Sequence, residues 1–138
     1  MNNLWNQGKF DGYDDTKFHY AEQTIAIEEP EIHLHPKYQS LLADMFEEAM
    51  TEYNIHFIIE THSEYLLLRT QYMVASAHYK NEEDLKEKCP LKVYYIPENG
   101  TAYDMQYQIN GKFTQSFGEG FFDEADKWVM KMYELEED

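Results

Sequence analysis

Basic residues are scarce in this chain. Its 138 residues include 11 lysines and arginines against 27 aspartates and glutamates, which gives a formal net charge of −16. A surface this acidic repels a phosphate backbone and an anionic lipid surface, so we expect this segment to bind neither nucleic acid nor a membrane directly. For most of the acidic side chains, the simpler interpretation is that they keep the domain soluble.

Cysteine and long apolar runs are also lacking. The single Cys89 excludes an internal disulfide and a cysteine-based zinc quartet. No apolar stretch is long enough to span a bilayer and none resembles a secretory signal, so the sequence predicts a cytoplasmic protein. A hydrophobic content of 43% and an aromatic content of 16% are sufficient for one folded domain of this length.

A phosphate-binding loop is missing as well. No Gly-x-x-x-x-Gly-Lys-Ser/Thr sequence occurs in the 138 residues, and the Lys9 that follows Gly8 is itself followed by Phe10. Any function that needs a phosphate cradle therefore needs one from another segment.

Two short apolar segments each lead into acidic or imidazole side chains. The apolar runs predict a buried strand over residues 24–28 and a second strand over residues 55–60. The helical spacing of apolar residues between them predicts a helix over residues 36–52. A strand, a crossover helix and a strand form a parallel βαβ unit. We therefore expect Glu28, Glu29 and His62 to reach the same edge of a sheet.

The remaining residues predict helices and an antiparallel meander. Ser63 is a predicted N-cap for a helix to about residue 77, and Asn81 begins a short charged helix. Asn99-Gly100 predicts a tight two-residue hairpin. The predicted strands are residues 91–96, 101–109 and 112–117, and a last helix after Gly120 carries a Trp128 stripe that is either core or a docking face.

The sequence therefore predicts an α/β fold. A short parallel βαβ core continues into an antiparallel β-meander and a C-terminal helix, with helices on both faces of the sheet. Residues 1–23 are predicted to be a loop or poorly ordered, and residues 24–138 are predicted to form one subdomain.

Several side chains allow more than one interpretation. Glu28 and Glu29 suit the binding of Mg²⁺ through its water shell and the orientation of an attacking water, although a plain acidic strand end is possible. His62 suits either capping or catalysis. His33 and His35 have a metal-binding spacing, but interface or loop hydrogen bonding is the favoured use.

Two motifs resemble a known family. Ile25-Ala-Ile-Glu-Glu-Pro-Glu-Ile-His-Leu-His-Pro36 followed by Ile58-Ile-Glu-Thr-His-Ser63 resembles the second half of an ABC-type ATPase head. The resemblance is strongest to the RecF, SMC and OLD-like branch, and especially to bacterial AAA-type ATPases. A weaker similarity continues to residues 118–124. The fold that it implies is part of a P-loop NTPase lobe.

The resemblance also implies residue roles. Glu28 takes the Walker B position, which is usually aspartate, and holds Mg²⁺ through water. Glu29 is the general base or water-orienting residue, and His62 is the switch histidine that hydrogen-bonds the γ-phosphate of ATP. Glu31, His33 and His35 match the D-loop, which crosses the dimer interface in this family.

The family's other motifs are absent from these residues. Without a Walker A loop, a Q-loop and a Leu-Ser-Gly-Gly signature, we expect a C-terminal fragment, from a split gene or a truncated reading frame, that binds ATP weakly by itself. It would complete a composite ATP and Mg²⁺ site with a polypeptide or domain that carries those motifs, in a dimer. The alternatives are a non-catalytic protein-interaction module derived from such an ATPase and, more distantly, a Glu/His metallohydrolase.

Overall fold

A computed structural model describes residues 22–136 of the chain. The elements are β1 (Gln23–Glu28), α1 (Pro36–Tyr53), β2 (Ile55–Glu60), α2 (Glu64–Ser76), α3 (Glu82–Lys88), β3 (Tyr94–Tyr95), β4 (Tyr103–Asp104) and α4 (Glu124–Glu136). Most of the loop predicted over residues 1–23 lies outside the described residues, and Gln23 already belongs to β1. Among residues 22–136, none of the helices combines the length and the apolar character needed to cross a bilayer.

The predicted parallel βαβ unit is confirmed. β1 and β2 pair in parallel, with Gln23 level with Ile55 and Glu28 level with Glu60. Pro36 occupies the first turn of α1, where its missing N–H costs nothing. The helix ends at Asn54, which adopts a left-handed backbone and turns the chain into β2.

The two faces of this sheet differ. In β2, Ile55, Phe57 and Ile59 are half-buried, and the Phe57 ring lies 4.8 Å from that of Phe46 on α1. The opposite face is open, with Ile58 65% exposed. The predictions of a buried first strand and of helices on both faces are therefore wrong for the described residues. β1 is exposed along nearly its whole length, because α1 packs on β2 and on α2.

The buried core lies mainly between the helices, and Phe46 joins it to Phe57 of the sheet. α1 and α2 pack through their buried side chains, which are Ala43, Phe46, Leu66 and Leu67. A second cluster joins Val74 of α2, Leu85 of α3 and Tyr107. The predicted caps form here, since Ser63 caps α2 and Asn81 caps α3.

The meander is less regular than predicted. β3 and β4 pair antiparallel over two residues each, and residues 96–102 connect Tyr95 to Tyr103. The two-residue hairpin at Asn99-Gly100 is therefore wrong. Pro97 cannot donate to a ladder, so pairing stops before the turn. The predicted strand over residues 112–117 reduces to one bridge between Tyr107 and Phe113.

Aromatic rings replace strand pairing in the segment before α4. Phe117 stacks on Phe121 at 4.7 Å and contacts Phe122 edge-on at 5.0 Å. α4 begins at Glu124, so Phe121 and Phe122 precede the helix rather than forming part of its stripe. Trp128 is 55% exposed and does not belong to the core of the described residues, which leaves docking as its open interpretation.

Candidate functional site

The parallel register brings the acidic ends of β1 and β2 together. Glu28 and Glu60 are level across the ladder, and the Glu29 N–H donates to the Glu60 carbonyl at 2.8 Å. The ladder thus extends one residue beyond β1 and fixes where Glu29 leaves the sheet. Glu28, at the last position of β1, is exposed.

His62 lies beside two carboxylates at this edge. Its Nε2 is 3.2 Å from Glu60 Oε1 and 4.0 Å from Glu29 Oε1. All three side chains are substantially solvent-exposed, with His62 at 73%, so these contacts add little to stability. These contacts matter for chemistry instead, because the carboxylates and the imidazole are all accessible to a ligand.

Glu60 is a site residue that the sequence interpretation did not single out. It ends β2 at the position that matches Glu28 in β1, and its carboxylate makes the closer contact with His62. The signal was present in the sequence, since an acid at the carboxyl end of a predicted parallel strand reaches the same edge as the acids of its neighbour.

The turn after β1 has an unusual backbone. Glu29 has φ +44° and His33 has φ +63°, both in the left-handed region that non-glycine residues rarely adopt. Each such residue costs about 1 to 2 kcal/mol. Two backbone bonds hold the turn, from Ile32 N–H to the Glu29 carbonyl and from Leu34 N–H to the Glu31 carbonyl. Strained backbone of this kind clusters at functional sites.

Glu31, for which the resemblance implies a D-loop role that stays a prediction, is enclosed by the turns after β1 and β2. Its side chain is buried inside the chain, with 8% exposure, and its Oε1 accepts the His62 backbone N–H at 2.7 Å. Burial favours the neutral acid, but hydrogen bonds from the Thr61 side chain and from the backbone N–H groups of Glu31 and His62 outweigh it. The pKa of Glu31 therefore lies below its usual value of 4.5.

His33 and His35, for which the resemblance implies a D-loop role, are exposed and have different local environments. His35 caps α1, since its Nδ1 accepts the Lys37 N–H at 3.2 Å. His33 sits at the second left-handed position of the turn. Among residues 22–136, no group of three or more histidine, cysteine, aspartate or glutamate side chains is arranged to hold a metal ion. The assignment of Mg²⁺ to Glu28 stays a prediction.

The strand-end arrangement has a defined chemical capability. Glu29 can accept a proton from a water or orient it, and His62 can donate a hydrogen bond to an anionic oxygen. Both groups are at the carboxyl edge of parallel strands, where ligands of α/β folds bind. The structure therefore brings together Glu29 and His62, which the sequence predicted as catalytic residues.

One protein-family model matches part of the chain. Residues 16–69 match the protein-family model described as "AAA domain, putative AbiEii toxin, Type IV TA system". The matched stretch is less than half of the chain, contains β1, α1 and β2, and ends within α2. It supports an AAA-type, P-loop ATPase-type domain in this part of the chain. No curated protein and no solved structure gives a significant match.

Proposed function

We propose that this chain is the C-terminal part of an ABC-type ATPase of the RecF, SMC and OLD-like branch. It supplies Walker B acids, a D-loop and a switch histidine to a composite ATP-hydrolysis site, and it is not competent alone. The observation that carries the proposal is the approach of His62 Nε2 to Glu29 Oε1, at 4.0 Å, on the carboxyl edge of two parallel strands.

In this proposal the residues have distinct roles. Glu29 orients or deprotonates the attacking water, and His62 hydrogen-bonds the γ-phosphate. Glu28, an exposed carboxylate at the strand end, fits Mg²⁺ as a ligand through water, because Mg²⁺ keeps several waters and takes few protein carboxylates. When bound, the ion neutralises charge on the phosphate oxygens.

The rest of the site comes from elsewhere in this proposal. The 138 residues contain no phosphate loop, and their acids repel a triphosphate. The open face of the β1–β2 sheet supports a missing neighbour, since parallel sheets are normally covered on both sides. Ile58, on the face opposite Phe57, is 65% exposed. A segment that carries the Walker A and signature motifs, in a dimer, would complete the site.

A second candidate is a non-catalytic interaction module. The observation that favours it is the apolar surface of α4, whose large exposed side chains are Trp128, Val129, Met130, Met132 and Tyr133. Large exposed apolar side chains mark protein–protein contacts when they form a contiguous patch. This reading predicts complex formation without any dependence on Glu29 or His62.

A reconstitution experiment separates the two candidates. The chain is mixed with a polypeptide that carries the Walker A and signature motifs, and phosphate release from ATP is measured with Mg²⁺ present. We expect hydrolysis only in the mixture, and Glu29→Gln should lower it by about 10² to 10⁴-fold. Calorimetry with ATP and the chain alone should show weak binding or none.

A matched control makes the result specific. Glu48→Gln removes the same charge from an exposed position of α1 and should leave hydrolysis unchanged. Hydrolysis that survives Glu29→Gln would rule out the proposed role of that residue. A complex that forms but never hydrolyses ATP would favour the interaction module.

A further inference from the structure

Glu31 differs from the acids around it. Glu28, Glu29 and Glu60 are exposed. Glu31 lies in the same turn as Glu29, yet only 8% of it is exposed. Burying a carboxylate is costly unless its charge is matched by hydrogen bonds. Its Oε1 receives the His62 N–H at 2.7 Å, while Oε2 is buried without a regular hydrogen bond among the described residues. The His62 N–H is thus one of the groups that hold the charge in place, together with the Thr61 side chain and the backbone N–H of Glu31.

A second link joins the same two turns. The Ser63 hydroxyl donates to Gln39 Oε1 at 2.7 Å, and Gln39 Nε2 donates to the Leu34 carbonyl at 2.9 Å. Ser63 N–H also donates to the Thr61 hydroxyl at 3.1 Å. The turn after β1 and the turn after β2 are thus tied at both ends, by Glu31 at one end and by Gln39 at the other.

We propose that Glu31 is a positioning residue for His62. Its carboxylate holds the backbone from which the imidazole projects, and so it limits how far the imidazole can lie from Glu29. The imidazole itself is 73% exposed and its contacts are with exposed carboxylates, which order a side chain weakly. A charge-assisted bond to a backbone N–H is stronger and shorter than a neutral one.

The catalytic meaning of this positioning depends on the proposed ATPase function, but the hydrogen bond does not. The two are therefore tested separately. In the first test, ¹H–¹⁵N NMR spectra of the full chain report the His62 backbone amide directly. Glu31→Ala should shift this resonance upfield. It should also speed the hydrogen exchange of this amide by about tenfold or more, which is the protection expected from a hydrogen bond to a charged group.

Two further variants guard against a general loss of structure. Glu31→Gln keeps an accepting carbonyl oxygen in the same place, so it should restore part of the His62 shift and protection. Asp44→Asn removes the charge of another carboxylate, which bonds Arg69 at 2.8 Å between α1 and α2, and should leave the His62 amide where it is.

The outcomes are distinct. A His62 amide that moves in Glu31→Ala, recovers partly in Glu31→Gln and stays fixed in Asp44→Asn supports the positioning role. A His62 amide in Glu31→Ala that neither moves nor exchanges faster than in Asp44→Asn overturns it, even if the composite ATPase is active. In the second test, a reconstituted mixture without hydrolysis would refute the proposed function and leave the NMR result intact.

Discussion

The strand-end region and the region around α2 and α3 use similar residues in opposite ways. In the first, β-branched and aliphatic side chains form a sheet with an open face, on which Ile58 is 65% exposed. In the second, Val74 and Leu85 are each 2% exposed and Met105 is 1% exposed. Apolar content therefore does not locate the core of this chain.

The two regions differ in burial because they differ in how many neighbouring elements cover them. Helices α1 and α2 and the segment around Tyr107 bury one another within the chain. A parallel sheet needs a layer on each side, and the described residues supply α1 on one side. The candidate site and the open face thus belong to the same two-stranded sheet.

The largest test of this comparison is a pair of aliphatic truncations. Leu85→Ala removes a core side chain and should cost about 2 to 5 kcal/mol of the free energy of unfolding. Ile58→Ala removes a similar side chain from the open face and should cost within about 1 kcal/mol, which is the span of strand propensities. Urea denaturation of the full chain, with linear extrapolation, measures both.

Equal costs would break the comparison. If Ile58→Ala destabilised the chain as much as Leu85→Ala, the sheet face that carries Ile58 would be buried in solution. If Ile58→Ala leaves the chain stable but weakens its complex with the Walker A polypeptide, the comparison is sharpened, because the open face is then the contact surface.

A pair of glycines tests how tightly the second region is packed. Gly111 has φ +78°, and a Cβ there would overlap the backbone carbonyl oxygen of Gln71 on α2. Gly111→Ala should cost about 2 to 4 kcal/mol, because overpacking costs about 1 to 3 and the left-handed backbone adds about 1. Thermal or urea unfolding measures the change.

Gly120 supplies the control for backbone strain. It has a similar φ of +86°, but a Cβ there meets only Glu124 Oε2 at 3.8 Å. Gly120→Ala should therefore cost about 1 kcal/mol, from the backbone alone. Equal losses of stability at the two glycines would mean that the close contact between Gly111 and α2 adds nothing to the cost of the substitution.

The βαβ unit was predictable because its signals are local. Apolar runs of strand length flank a helical repeat, Pro36 starts the helix, and Asn54 ends it. These signals are enough to predict that Glu29 and His62 lie at one edge of the sheet. Their separation depends on the register of β1 and β2, which the spacing of residues along the chain does not specify.

Other features depend on contacts that no local pattern reports. The burial of Glu31 results from a bond to the backbone of His62, 31 positions away. Within the Glu-Glu-Pro-Glu sequence, Glu31 looks like Glu28 and Glu29, so its different environment was not readable. The antiparallel pairing of the meander is shorter than predicted because Pro97 and the packing of Phe117, Phe121 and Phe122 override the alternating pattern.

Tyr107 is the polar member of the Val74, Leu85 and Tyr107 cluster, and its substitution should have a small effect. Its hydroxyl lies 2.7 Å from Thr70 Oγ1, which itself donates to the Leu67 carbonyl. Tyr107→Phe should cost about 1 kcal/mol at neutral pH, since one hydrogen bond is lost and Thr70 keeps another. Urea denaturation at pH 7 measures this cost.

The same variant should change the response to alkali. Burial raises the pKa of Tyr107 to about 12 from the ordinary 10.0, although the bond to Thr70 acts in the other direction. A group whose pKa is raised by folding stabilises the fold below its unfolded value and loses that contribution as pH rises towards the folded value. Wild-type stability should therefore fall between about pH 10 and 12, and Tyr107→Phe should fall less steeply. Parallel curves for the two proteins would show that Tyr107 ionises as freely in the folded chain as in the unfolded one. The core around Tyr107 would then not exclude charge, and in that respect it would not differ from the exposed strand ends.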